Sequence, residues 1–425
     1  MRIRDPIHGT ILVEPAEKAV IDSRFFQRLR HVRQLGFGDL AFPGATHTRH
    51  AHSLGAMHAA SRLFDSVFAH VELAAPERAR LRAATRMAVL CHDLGHLPLS
   101  HASESIAPPR SALGLPAWIP SDRAAQASHE DFTLKLLLDS SLTPVLARAL
   151  SPVGVAPEAV AGLILGADAP GGPAFVVGGR DYGPLMREIV SGELDADRMD
   201  YLLRDSLFTG VTYGRFDLDW IVENLVPTRV DDKVHLALSK AAIFAFEDFL
   251  LSRFHMFVSV YHHHTSVSFD EMLRRYYREA PQEIAIPAEP ELFLECDDVW
   301  LATALRRSQN GWAKRIVARQ GYKLVVQATG LDRAYDFPAL EAALKAAGVE
   351  HLRVDSLPVL SKYFAGETGP SLFVVDADSG ARTPVAEYTP LYQRYAQAIR
   401  LTRVYARPDQ LDEARAVVAQ VVRGA

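Results

Sequence analysis

The residues of this 425-residue chain whose types and spacing can do chemistry are histidines and aspartates. Eight of the 17 histidines fall between His47 and His101, a concentration that solvated surface helices give no reason for. Within that window His92-Asp93 follows the apolar run Met87-Ala-Val-Leu-Cys91. The pair is therefore expected at the end of a buried helix, with Gly95 marking the helix's close. Neutral imidazole and carboxylate are natural ligands for Zn, Mn, Fe or Mg-type ions, and four such groups from separate helices fix one ion while leaving positions for water. His52, in His-Ser-Leu-Gly, and Asp197, in Asp195-Ala-Asp-Arg-Met-Asp, complete the set begun by His92 and Asp93. A lone His-Asp dipeptide is more often a helix-end hydrogen bond; it is the ordered set that points to a metal.

The segment from Asp197 to Asp205 adds a second constellation. At about 100° per residue, Asp197, Arg198, Tyr201 and Asp205 share one arc of roughly 100°, so one helix face offers ligand, cation, hydroxyl and carboxylate together. Without the histidines such a face would read as a solvated surface of Asp and Arg pairs.

Helices must position these groups. Apolar periodicity marks segments near 17 to 30, 52 to 70, 77 to 93, 129 to 138 and 192 to 207. The run from Ala241 to Tyr261 is apolar nearly all round, as a central buried helix would be. Ala107 to Ala127 and Ser151 to Pro184, rich in Pro or Gly, read as loops or insertions. Beyond about residue 285 strand-like runs, Lys323-Leu-Val-Val-Gln and Ser371-Leu-Phe-Val-Val-Asp, alternate with helical ones. The expected fold is mainly α: a helical core over 1–285 and a smaller C-terminal α/β lobe over 286–425, serving oligomerisation or regulation. Arg353, Lys362 and Arg403 in that lobe read as solvated surface cations.

Apolar residues make up 48% of the chain and charged residues 23%, the balance of a packed globular protein. With 46 basic against 51 acidic residues the net charge is −5, so no global basic field drives nucleic-acid or membrane binding. Cys91 and Cys296 cannot make a disulfide framework, and no spanning run or apolar leader is evident. A soluble, cytoplasmic protein is expected.

In order, His52, His92-Asp93 and Asp197 resemble the four-ligand pattern of the HD superfamily of phosphohydrolases. Gln27-Arg-Leu-Arg-His-Val-Arg-Gln-Leu-Gly36, Phe42-Pro-Gly-Ala-Thr-His-Thr-Arg49 and Cys91-His-Asp-Leu-Gly-His96 look more narrowly like the deoxynucleoside triphosphate triphosphohydrolases. The likeness runs from about Asp5 to His264, without a SAM domain. It implies one divalent transition metal (Mn, Fe, Zn or Ni) on the quartet and Mg with the triphosphate. It implies that Arg49, Arg198 and Arg253 grip phosphates, that His96, His101, Glu104 and His129 surround the scissile bond, and that Tyr201 helps. Gln34, Leu35, Asp205 and Tyr261 would hold the deoxyribose. His101 is the first choice for proton transfer, oriented by Glu104, with His129 second.

The resemblance also implies that Asp22, Gln27 and Arg30 read a guanine nucleotide, GTP or dGTP, at an activating site between subunits of a dimer or tetramer. The alternative for this trio is a helix-capping Asp22 beside surface Gln and Arg. Vertebrate members of the family carry lysine, aspartate and glutamine where Arg198, Glu104 and His262 stand, which bears on base preference. On an uninterrupted α-helix His262 would fall roughly opposite Arg253, while Tyr261 would lie about 80° from it. The expected reaction is hydrolysis of a dNTP to deoxynucleoside and triphosphate. Competing readings are an HD phosphohydrolase for another nucleotide or a nucleic-acid end, and a nucleotide-sensing regulator without catalysis.

Overall fold

A computed structural model describes residues 1–120, 125–329, 335–356, 372–395 and 400–424. Its framework is a set of helices whose sequences explain their burial. The Arg49–Phe68 helix carries Ala56, Met57, Ala59, Ala60, Leu63 and Phe64, all fully buried, and packs against both the Ala75–Cys91 and Ala196–Thr209 helices. Small and unbranched apolar side chains favour the helix and let its neighbours approach closely. Pro76 in the first turn and Glu77 behind it start the Ala75–Cys91 helix. Asp195 caps Ala196–Thr209 by accepting from the Arg198 amide at 2.8 Å, and Gly210, at φ +75°, ends it. Ser128 and Asp131 form a capping box at the start of the His129–Leu138 helix.

The segment Ser151 to Pro184, expected as loop, contains the Pro157–Leu165 helix, which is a correction. Pro157 opens it, Gly166 caps it in the left-handed conformation, and Val160, Ala161 and Leu163 are buried against the Ala75–Cys91 and His129–Leu138 helices. A helix walled by others shows little polar periodicity, so only its punctuation was visible.

Sheet structure begins earlier than the α reading suggested. Arg2–Asp5 and Gly9–Leu12 form an antiparallel hairpin at the N-terminus. Leu225–Val230 and Lys233–Ser239 form another, turning at Asp231 with φ +56°. Lys233–Ser239 continues a mixed sheet by pairing in parallel with Phe373–Val375, so late residues pack into the early core. A three-stranded antiparallel sheet places Leu401–Ala406 between Lys323–Thr329 and His351–Ser356, backed by the Phe337–Ala346 and Leu411–Gly424 helices. The fold is mainly α with this smaller α/β region. Arg403, expected as a surface cation, is 3% exposed and donates to Gln327. Arg353 pairs with Glu341 and Asp355, and Lys362 lies outside the described residues. Among the described residues no single helix is long and apolar enough to cross a membrane.

Candidate active site

Three helices bring the metal-ligand candidates together at their ends. His52 lies in the first turn of Arg49–Phe68, His92 follows the last residue of Ala75–Cys91, and Asp197 lies in the first turn of Ala196–Thr209. Ligand atoms of His52, His92 and Asp197 all fall within 4.8 Å of one another. His52 Nε2 stands 3.0 Å from Asp197 Oδ1 and 3.6 Å from Asp93 Oδ2. His92 Nε2 stands 3.3 Å from Asp93 Oδ1 and 3.5 Å from Asp197 Oδ1.

The opposite ring nitrogens are engaged elsewhere: His52 Nδ1 meets Asp200 Oδ2 at 2.8 Å, and His92 Nδ1 donates to the Val89 carbonyl at 2.6 Å. In each neutral ring Nδ1 then carries the hydrogen and Nε2 the lone pair. Both Nε2 atoms are buried without a hydrogen-bond partner among the described residues. Two orphaned imidazole nitrogens facing two carboxylates are the donor set of a divalent transition ion.

Electrostatics agree. Burial opposes a charge on His52, yet the Asp197 and Asp200 carboxylates on either side of its ring outweigh it and push its pKa up to about 10. Burial also opposes ionisation of Asp93, but Arg49, His92 and His96 hold it well below the usual carboxylate range. A carboxylate-rich site that draws a proton onto a buried imidazole has the charge to hold a metal cation in its place.

His92, Asp93 and Asp197 line a cavity of about 680 Å³, with His52 buried behind them. Arg49, Arg198, Tyr201, Asp205, Gln34 and Leu35 line it, and the four residues placed on one helical arc by spacing all face it. Arg49 donates to Asp93 Oδ2 at 2.6 Å and to Ser100 Oγ at 3.0 Å. Three helices begin at this cavity, at Arg49, His129 and Ala196, so three positive dipole ends add to the arginines and favour an anion.

Glu104 joins the acid–base candidates: its Oε1 meets His101 Nδ1 at 2.9 Å and His129 Nδ1 at 3.0 Å. The His129 ring stacks on His96 with centroids 4.0 Å apart. Burial, reinforced by Arg49 and His129, keeps His96 well below its ordinary pKa and therefore neutral. Gln34, 8% exposed, presents Oε1 with no partner among the described residues. Tyr261 donates to Asp205 Oδ2 at 2.9 Å, while Asp205 Oδ1 meets His47 Nε2 at 2.7 Å.

Some expectations change. Arg253, expected on phosphates, is not among the cavity-lining residues; it is 4% exposed and donates to Glu193 at 3.2 Å. The helix carrying it stops at Met256, and Phe257–Tyr261 form a wider π-type turn. Tyr261 and His262 lie at and just after that turn and both line the cavity, on a face that Arg253 does not share. Gly95 does not end its helix, which closes at Cys91. A Cβ at Gly95 would lie 2.1 Å from the His129 carbonyl, so the glycine is there for close packing. In the expected nucleotide trio, Asp22 turns to Lys18 one turn back, whereas Arg30 donates to Gln27 at 2.7 Å.

Sequence reasoning also passed over Asp200, Ser100, His47, Thr133 and Asp298. Asp200 lies within the Asp195-Ala-Asp-Arg-Met-Asp run already singled out, three residues and so nearly one turn beyond Asp197. Leu99 and Ser100 adopt φ of +54° and +57°, costly for non-glycine residues, and Asp298 holds the turn by accepting from the Leu99 amide at 2.7 Å.

Comparison with known proteins agrees with this geometry. Residues 216–344 match the model of the HD associated region. An uncharacterized protein of Methanocaldococcus jannaschii is 32% identical over 76% of this chain and 59% of its own length. The deoxynucleoside triphosphate triphosphohydrolase SAMHD1 homolog of Dictyostelium discoideum is 30% identical over 70% of this chain and 53% of its own. The chain thus spans less than two thirds of either relative. A crystal structure of a hypothetical protein from Aquifex aeolicus superposes with a TM-score of 0.72 and 26% identity, covering 98% of this chain and 99% of that one. With the His52, His92-Asp93 and Asp197 quartet beside them, these likenesses make the chain similar to the HD-domain phosphohydrolases, and among them to the deoxynucleoside triphosphate triphosphohydrolases.

Proposed function

We propose that the chain is a metal-dependent phosphohydrolase that cleaves deoxynucleoside triphosphates to deoxynucleoside and triphosphate. The observation that carries this reading is the pair of orphaned Nε2 atoms on His52 and His92, facing Asp93 and Asp197 in an arginine-bearing cavity. His52, His92, Asp93 and Asp197 would hold one divalent ion, which supplies Lewis-acid polarisation of phosphate oxygens and a lowered pKa for water.

The protein's own groups do the rest. Arg49 and Arg198 neutralise charge on the polyphosphate, aided by the three helix starts. Arg253 steadies Glu193 beside them from within the wall. His101 gives a proton to the departing 5′-oxygen, with Glu104 Oε1 holding its Nδ1 and so aiming the other ring nitrogen. Glu104 holds His129 in the same way, and neutral His96 stacks behind it. Gln34 Oε1, still seeking a donor, suits a sugar hydroxyl, and Leu35, Tyr201 and the Asp205–Tyr261 pair shape the deoxyribose end. Gln27 and Arg30, with Asp22 released from Lys18, form the activator site when a second subunit closes over them; GTP or dGTP is the ligand of that site.

The test is product analysis with purified protein and Mn²⁺ or Mg²⁺, with and without dGTP. Release of inorganic triphosphate from dNTPs supports the reading; turnover confined to ribonucleotides, (p)ppGpp or single-stranded DNA ends replaces it with the wider HD alternatives. Absence of all turnover with metal bound would make the chain a nucleotide sensor.

A further inference from the structure

Behind His52 lies a chain of buried charged groups that none of this chemistry uses. Asp200 Oδ2 meets His52 Nδ1 at 2.8 Å and its Oδ1 meets His8 Nε2 at 2.8 Å. Arg204 grips the same carboxylate with two bonds of 2.8 Å, and its Nη1 stands 2.9 Å from Asp5 Oδ2. Asp5 Oδ1 in turn accepts from the Ile7 and His8 amides at 2.9 Å, closing the chain on the N-terminal hairpin. We propose that His8, Asp5, Arg204 and Asp200 form a relay that positions the metal ligand His52, so that the N-terminal hairpin governs metal affinity. The inference rests on the metal reading of the quartet.

Three observations carry it. First, the side chains of Asp200, Arg204 and His52 are wholly buried, those of His8 and Asp5 2% and 7% exposed. Buried ion pairs often stabilise a fold no better than apolar residues of the same volume, so stability alone is a weak reason for this cluster. Second, the network ends on the one ring nitrogen that decides whether Nε2 can bind a metal. His92 is oriented differently, by the Val89 backbone carbonyl, so His52 alone among the ligand imidazoles depends on distant side chains. Third, the helix bearing His52 makes room for the relay: a Cβ on Gly55 would fall 2.0 Å from Asp200 Oδ1 and 2.2 Å from Arg204 Nη2. The glycine of His52-Ser-Leu-Gly55 thus admits the Asp200–Arg204 pair one turn after the ligand.

The test uses the full chain and Mn²⁺ alone, measured by calorimetric titration after chelator stripping. Asp200→Asn is expected to weaken Mn²⁺ binding about 100-fold and His8→Ala about tenfold, the range seen when outer partners of metal-binding histidines are removed. His8→Gln, whose amide can donate to Asp200 Oδ1, is expected to recover most of the loss. Melting of the stripped proteins reports folding separately, and the ligand-field spectrum of the Co²⁺ forms reports His52 geometry. Should His8→Ala or Asp200→Asn fail to fold, Asp5→Asn at the outer end of the relay carries the same test, with a loss of a fewfold. If the wild type binds Mn²⁺ and the folded variants bind it equally with unchanged Co²⁺ spectra, the relay is refuted while the metal reading stands. If the wild type itself binds no metal, the metal reading is what fails.

Discussion

Gly95 sits two residues past Asp93, and a methyl group there tests how closely the acid–base histidines must approach the metal centre. An added Cβ would lie 2.1 Å from the His129 carbonyl oxygen and 2.3 Å from the Thr133 amide nitrogen, against an ordinary contact of at least 3.4 Å. The start of the His129–Leu138 helix would therefore have to retreat by about 1.3 Å, and the obstructing atoms are backbone, which cannot rotate aside. The retreat also stretches the Gly95 amide bond to Thr133 Oγ1, now 2.9 Å, and the 2.9 Å bond from that hydroxyl to the His92 carbonyl. His129, and Glu104 bonded to it, would move away from His92 and Asp93. A displacement of about 1 Å at reacting groups can cost on the order of 100-fold in rate. Gly95→Ala is thus expected to lower kcat for dNTP hydrolysis about 100-fold, with stability reduced by about 1 to 3 kcal/mol. Steady-state kinetics at saturating metal, alongside metal analysis and thermal melting, measures both. Wild-type kcat in a well-folded, metal-loaded Gly95→Ala protein would show that close approach of this helix is not needed.

Three further outcomes are expected. Glu104→Gln keeps the side chain's shape but replaces the carboxylate whose Oε1 meets both imidazoles with a neutral, weaker amide acceptor, so kcat should fall about 10²- to 10⁴-fold with Mn²⁺ affinity unchanged; equal losses in both would assign Glu104 to the metal instead. Burial, only partly offset by Arg274, raises Asp270 to a pKa of about 7, above its value of 3.8 unfolded, so the folded state binds more protons between those values and loses stability as pH rises through them. Asp270→Asn should therefore raise the melting temperature at pH 8 and lose that advantage below pH 4; melting curves showing the same gain at both would contradict the assignment. Asp298→Ala removes the acceptor of the Leu99 and Arg33 amides that holds the left-handed turn before His101, and should cost about 1 to 3 kcal/mol and lower kcat without altering metal content, as urea unfolding and kinetics would reveal.

The ligand helices and the arc from Asp197 to Asp205 were legible because apolar periodicity and helical spacing are local properties of the chain. The short Leu225–Val230 and Lys233–Ser239 hairpin was missed although an Asp231-Asp232 turn joins its strands, because an α pattern dominated both flanks. Pro157–Leu165 was missed because a helix buried on every side lacks a polar face. The π-type turn before His262 was missed because no residue between Phe257 and Tyr261 announces it. The functions of Gly55 and Gly95 were invisible for a related reason: each makes room for atoms distant in sequence, Asp200 in one case and the His129 helix in the other. Asp200 itself could have been found, since a buried ligand histidine needs an outer partner and a carboxylate three residues past Asp197 is well placed to supply one.

The central claim is that His52, His92, Asp93 and Asp197 close around one ion. Anomalous diffraction at the Mn edge from crystals grown with Mn²⁺ tests it most directly. The expected result is one strong peak within bonding distance of both Nε2 atoms and of Asp93 and Asp197 carboxylate oxygens. A peak centred instead on His101, Glu104 and His129, or none at this quartet while the protein is folded and Mn²⁺ saturating, would contradict it.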